Sequence, residues 1–443
     1  MGFYDKLLAS LPEVAGPKQK KLSFKEKLKW TGIILVLFFV LGLVPLFGLG
    51  QNALQHFELL SVILGATFGS IISLGIGPIV TASIVLQLVN GSGLIKFDLT
   101  SKDGRTRFQG TQKLLAVFFI IFEAAIYVFM GGLAPAQELA GSGLYFQLEL
   151  ILIFQLFLGG LLILFMDEVC TKWGFGSGVS LFIAAGVSQS LFIRLLSPLP
   201  SPSNPSIMTG AIPALFQSLA GGDPQTAVLM LAGIAATVVV FAIAVYSQAM
   251  KVEIPLSFGR VRGYGIRWPL HFIYTSNIPV ILISALVANV QLWARLLQNW
   301  GLPIFGTFVG NSPVSGFVYW ITPPDVVGSL IKGSFTFSLL SRGLTYTVFL
   351  IVGSIIFSWF WVQTSGMDAR SQAKQIMSSG LQIPGFRKDE RVLERLLKRY
   401  ISPLTVMGAA AVGFLAAVAD ISGALTHGTS LLLSVMIIYR LYE

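Results

Sequence analysis

The chain has 443 residues, of which 54% are hydrophobic and 11% charged, with a mean hydropathy of +0.78. A soluble domain carries about 25% charged residues, so these figures exclude that class and define a polytopic membrane protein. A net charge of +10 invites a nucleic-acid reading, which the placement of the charges removes, and the single cysteine, Cys170, excludes an intrachain disulfide or a cysteine-based metal cluster.

Residues 1–28 are polar and lack the charged, apolar and cleavage regions of a signal peptide, so the first span is expected to direct insertion. Ser23 and Glu26 have capping-box spacing ahead of FKEKLKW, which predicts an amphipathic cytoplasmic helix in the membrane interface. An apolar run of about 20 residues crosses a bilayer. Ten such runs follow, near 29–49, 71–90, 113–133, 146–167, 178–196, 226–249, 272–295, 344–364, 403–420 and 428–442. With the N-terminus inside, the inner segments hold 26 of the 30 Lys and Arg, leaving Arg194, Arg295, Lys332 and Arg342 outside. That asymmetry puts both termini in the cytoplasm.

Between the first two spans, residues 52–70 are too short and too glycine-interrupted to cross alone. They fit a re-entrant helix, permitted only where protein or water shields the backbone, or an ordinary outer loop. Residues 197–225 read as an external linker between a first half, 29–196, and a second, 226–443. The loops 250–271 and 365–402 carry turn signals, basic residues and, in the latter, Val392, Leu393, Leu396 and Leu397 at helical spacing. Both loops are expected to protrude and touch something.

Span 2 contains LGIGPIV, with Gly75, Gly77 and Pro78, and span 7 carries Pro279 at a matching place. Five spans separate them, so the halves would be inverted repeats, a pattern that points to a transport path. A proline inside a helix strands a carbonyl and costs about 3 kcal/mol or more, which lipid cannot repair. The four residues are therefore expected to kink their helices, beside an aqueous path or in a packed bundle. No P-loop occurs, the three histidines lack metal spacing, and GFGSG at 174–178 is out of register with serine-nucleophile motifs. Glu123 is the clear ionisable residue at mid-membrane, which disfavours an ion-coupled secondary transporter of a small solute. No enzyme activity and no cofactor or metal are expected.

LGIGPIVTA, IPLSFGRVRG, TSNIPVI, GFRK and PLTVM, in this order on ten spans, resemble the SecY family in its archaeal and eukaryotic branch. The resemblance runs from PEVAGP near residue 12 to RLYE at the end. It implies an all-α fold of ten transmembrane helices in two inverted halves around a pore, translocating unfolded polypeptides and releasing transmembrane segments sideways into lipid. It further implies a pore ring of Ile76, Val80, Val179, Ile183, Ile281 and Leu433, sealed by a plug helix at 54–68. Thr81, Glu123 and Asn289 correspond to a polar cluster at the lateral gate. Arg260, Arg262, Arg387 and Lys388 match positions that dock the ribosome. SecE-like and Sec-beta-like small subunits are the remaining implied partners.

Overall fold

The computed structural model describes the chain apart from residues 1–10, 18–21, 53–65, 92–93, 96, 98–101, 140, 201–206, 259–264, 276–277, 300, 310–311, 379–380, 383–388 and 443. It divides into two compact units, residues 1–188 with 291–312, and 189–290 with 313–443. Each of the ten predicted spans falls on a helix, and among the described residues six helices are long and apolar enough to cross a membrane.

In the first unit α1, Phe24–Gly42, starts on the expected capping box: the Ser23 hydroxyl accepts the Glu26 N–H and the Glu26 carboxylate accepts the Ser23 N–H, both at 3.3 Å. The expected separate interfacial helix is corrected here. FKEKLKW forms the first turns of α1 itself, because no proline interrupts the path into the apolar run and Gly32 continues in helix. Residues 12–15 are tied to the helices at 102–129 and 143–173 by a network of ionic and carbonyl contacts. Lys113 contacts the Pro12 carbonyl and Glu168 (2.9 Å), and Lys172 contacts Glu168 (3.2 Å), Glu13 (2.6 Å) and the Val14 carbonyl. The Trp173 indole donates to the Ala15 carbonyl.

The second expected span takes a different form. Residues 71–76 are successive turns, and α2 runs only over Gly77–Gly91. Amides of Ser73, Gly75 and Gly77 bond the carbonyls of Ser70, Ile72 and Leu74, and the Ser73 hydroxyl accepts the Gly69 N–H, so the backbone is satisfied locally. Gly75 has φ +56°, a left-handed value that costs a glycine little. Pro78 therefore stands in the first turn of α2, where a missing N–H leaves no bond unmade. Pro279 occupies the same place in α8, Ile278–Asn299. The kinks expected at Gly77, Pro78 and Pro279 are corrected to helix starts, and that at Gly75 to a left-handed turn just before α2.

Helices α3 (Lys102–Phe129) and α4 (Gly143–Trp173) and the 178–188 part of α5 (Gly178–Leu196) follow in this unit, with α3 packed on α2 and α4, and α1 on α4. Gly159 and Gly160 of α4 make the closest approach. A Cβ on Gly159 would lie 1.8 Å from the Ile71 carbonyl oxygen, and one on Gly160 2.6 Å from Ile120 Cγ2.

The second unit holds α6 (Ala211–Ala220), α7 (Pro224–Ala249) and the Ile278–Val290 part of α8. The short α9 (Gly316–Ile321) and α10 (Val326–Ile331) follow, then α11 (Phe337–Thr364), α12 (Ala369–Ser378), α13 (Glu390–Ile421) and α14 (Gly428–Tyr442). Its core gathers Ile283, Leu350, Val412, Ala416, Leu432 and Met436 from α8, α11, α13 and α14. The chain is not wholly helical: Lys251–Phe258 and Gly265–His271, here β3 and β4 after short strands at 51–52 (β1) and 133–134 (β2), pair antiparallel from Lys251↔His271 to Ser257↔Gly265. The short strands 308–309 and 312–313 form β5 and β6, and the last strand, β7 at Leu381–Gln382, adds to β3. The two loops expected to protrude are thus one folded body. Its core takes Ile254 and Leu270 from the sheet, Ala373 and Ile376 from α12, and Leu393 and Leu397 from α13.

Candidate functional site

The six ring positions share one placement. Ile76 stands immediately before α2, its carbonyl accepting the Val80 N–H at 3.0 Å, so Ile76 and Val80 frame the first helical turn. Val179 and Ile183 are the second and sixth residues of α5, Ile281 the fourth of α8 and Leu433 the sixth of α14. All six lie within the first two turns of a helix or at its cap. Ile76 and Leu433 are each 1% exposed, Ile183 is buried, and Val80, Val179 and Ile281 are half-buried.

GFGSG closes the tight turn between α4 and α5. Gly176 has φ +79°, and a Cβ on Gly178 would lie 2.7 Å from Asp167 Cα. The Asp167 carboxylate accepts the Val179 N–H at 2.9 Å, and the Phe175 N–H donates to the Thr31 hydroxyl at 3.2 Å. In the other unit Asp420 accepts the Gly428 N–H at 2.7 Å and the Tyr346 hydroxyl at 2.7 Å. Neither aspartate was singled out from the sequence. Each lies eight or more residues before the helix it caps, beyond the reach of a local capping pattern.

Of the gate residues, Thr81 donates to Glu123 at 3.5 Å, a weak bond joining α2 to α3. Phe68 meets Tyr127, one turn beyond Glu123, edge to face at 6.5 Å between ring centroids. Asn289 lies on α8 in the second unit, and its side chain lies outside the described residues. Arg260 and Arg262, between β3 and β4, and Arg387 and Lys388, between β7 and α13, also lie outside them. So do residues 54–65 of the expected plug. Its last three, 66–68, are described, and the Thr67 carbonyl accepts the Ser70 hydroxyl at 2.7 Å.

Fold and site define a polytopic helical membrane protein whose expected ring positions are aliphatic side chains at helix starts. Residues 70–442 match the SecY family. The protein translocase subunit SecY of Methanothermobacter thermautotrophicus is 45% identical, over 99% of this chain and 94% of the relative. That of Pyrococcus furiosus is 42% identical, over 98% and 93%. A solved structure described as that of a protein conducting channel matches with a TM-score of 0.79 and 41% identity, over 98% of this chain and 95% of its own. Sec61 in a canine ribosome–channel complex from the endoplasmic reticulum matches with a TM-score of 0.77 at 41% identity, over 98% and 95%. The chain belongs to the SecY family. Its function is protein translocation as a multi-pass channel of the cell membrane, which displaces the solute-transporter alternative.

Proposed function

We propose that unfolded secretory chains pass a constriction made by Ile76, Val80, Val179, Ile183, Ile281 and Leu433, and that apolar segments leave sideways past Thr81, Glu123 and Asn289. The observation that carries this reading is the match over nearly the whole chain to a structure described as a protein conducting channel. The chemistry agrees with it. Aliphatic side chains bind no peptide strongly, and a narrow apolar constriction resists ions by dewetting. The chain supplies no catalytic step; translation or a separate motor drives movement. Both termini face the cytoplasm, supported by the 26 inner Lys and Arg. SecE-like and Sec-beta-like subunits accompany the chain, and the segment around α1 adjoins the former.

The test is reconstitution in liposomes with those subunits and a stalled secretory chain. Protection of that chain from added protease supports the reading, and full digestion with intact vesicles contradicts it. At the gate, Asn289→Leu should move the balance between integrated and translocated test helices about threefold, the equivalent of the 0.6 kcal/mol typical of a polar contact between membrane helices. An unmoved balance would leave Asn289 as packing alone.

Ribosome docking falls to Arg260, Arg262, Arg387 and Lys388, a role supported by the ribosome-bound state of the Sec61 relative. The folded body that bears both basic loops gives them a fixed base in the three-stranded sheet of β4, β3 and β7. Reversing Arg387 and Lys388 to Glu should weaken ribosome binding and reduce the slope of log affinity against log salt by about 2, one per lost phosphate contact. Equal affinity and slope would remove both residues from the docking surface.

A further inference from the structure

Two junctions in this chain are built alike. At each, a carboxylate near the end of one long helix reaches the first turn of the next and accepts its backbone N–H. Asp167 of α4 takes the Val179 N–H of α5 at 2.9 Å. Asp420 of α13, its side chain 4% exposed, takes the Gly428 N–H of α14 at 2.7 Å. Its other oxygen accepts the Tyr346 hydroxyl from α11 at 2.7 Å, and His427 Nδ1 lies 3.7 Å from the first.

Both capped helices begin on a glycine with no room for a side chain. A Cβ on Gly178 would lie 2.7 Å from Asp167 Cα, and one on Gly428 would lie 2.3 Å from the Ala416 carbonyl oxygen. Each intervening turn holds a left-handed glycine, Gly176 at φ +79° and Gly423 at φ +71°. The segments DEVCTKWGFGSGV and DISGALTHGT share the aspartate, the turn glycine and the starting glycine, and little else.

An ordinary helix cap is local. Asp223, Asp325 and Asp389 of this chain each accept an N–H two or three residues ahead. A local cap satisfies the donor and favours negative charge at the helix N-terminus, but it leaves the helix free to slide along its neighbour. A cap that comes from the preceding helix satisfies the same donor and also fixes the height of one helix against the other. Ser177 precedes Gly178 and could cap α5 locally, yet the Val179 N–H goes to Asp167.

We propose that Asp167 and Asp420 are positioning residues that set the axial height of α5 and α14, and with it the level at which Val179, Ile183 and Leu433 narrow the pore. The inference rests on the proposed ring and deepens it. The Val179 amide that Asp167 holds belongs to a ring residue itself. Leu433 follows Gly428 by five residues on one helix, so a slip at the start of α14 is carried directly to Leu433.

The experiment uses the full chain with its partner subunits in liposomes, in a Cys170→Ser background. Single cysteines are placed in turn from 430 to 436 on α14 and from 179 to 185 on α5, and their reaction with a membrane-impermeant thiol reagent is mapped. Asp420→Ala should shift the pattern on α14 by a residue or more and raise resting ion leak severalfold, while α5 stays as it was. Asp167→Ala should do the reverse. Asn at either position keeps an acceptor oxygen and should restore both readouts. Tyr346→Phe, which removes a neighbour of Asp420 and leaves the cap, should change neither. If an alanine variant fails to accumulate, Asp420→Glu or Asp167→Glu keeps the charge on a longer arm and should still displace the pattern. A merely structural role would lower yield without moving the map. Unmoved patterns alongside a leaking Ile183→Gly control overturn this inference alone, whereas an Ile183→Gly control that does not leak brings down the ring reading beneath it.

Discussion

Gly159→Leu should leave little folded protein in the membrane. Gly159 faces a backbone oxygen: a Cβ there would stand 1.8 Å from the Ile71 carbonyl and 2.8 Å from its carbon. A clashing side chain can rotate away, but Ile71 is pinned, its N–H bonded to the Val44 carbonyl at 2.9 Å within the turns leading to α2. Overpacking a core commonly costs 1–3 kcal/mol, and a clash with fixed backbone belongs at about 3 kcal/mol or more by the same measure. That is a large share of a typical net stability of about 5–15 kcal/mol. Thermal unfolding in detergent should show a much lowered midpoint or no folded fraction. Gly32→Ala on α1 is the control. Nothing lies within 4 Å of a Cβ there, and alanine in a helix interior is favoured over glycine by about 0.5–1 kcal/mol. A Gly159→Leu protein as stable as the Gly32→Ala control would show that α4 does not seat the turn at Ile71 as described.

Replacing Ile183 and Ile281 together with glycine should raise resting ion conductance by about an order of magnitude, since dewetting depends steeply on the width and polarity of a constriction. Both residues occupy first or second helical turns, where the backbone is already fixed by α5 and α8, so truncation opens space without unfolding a helix. Conductance of the reconstituted complex, without a translocating chain, is the measurement. An unchanged value in a protein that still translocates would assign both residues to packing. The pair is preferred to Ile76, which lies at the junction of the turns and α2, where a substitution would disturb the fold as well as the pore.

Much of this architecture is legible in the order of the residues alone. Hydropathy locates ten segments that each fall on a helix for at least part of their length, and the Ser23–Glu26 spacing marks the start of α1 to the residue. Residues 71–76 show where such reading stops. Ile71, Ile72, Leu74 and Ile76 have the hydropathy of a span whether coiled into helix or folded into turns, and hydropathy does not report which. The signal that was present is positional: glycines followed by proline mark a helix start more often than a helix middle. The hairpin also carried a signal, which the expectation of a protruding loop in an all-α fold passed over. Val252, Ile254 and Leu256 alternate with polar or small neighbours, as do Ile266, Trp268 and Leu270, a period of two that outranks the turn residues around them. The Asp167 and Asp420 caps were not legible. Local rules search within three residues of a helix start, and these partners come from the preceding helix.

The ring is the central claim, and disulfide mapping tests it most directly. In a Cys170→Ser background, single cysteines at 76, 80, 179, 183, 281 and 433, and at exposed apolar positions such as Val36 and Leu231, would be paired with a secretory chain stalled inside and carrying one cysteine. Crosslinks confined to the six positions, all reacting with the same short stretch of the stalled chain, are the predicted result. Equal crosslinking at Val36 and Leu231, or none at the six in a preparation that translocates, would contradict it.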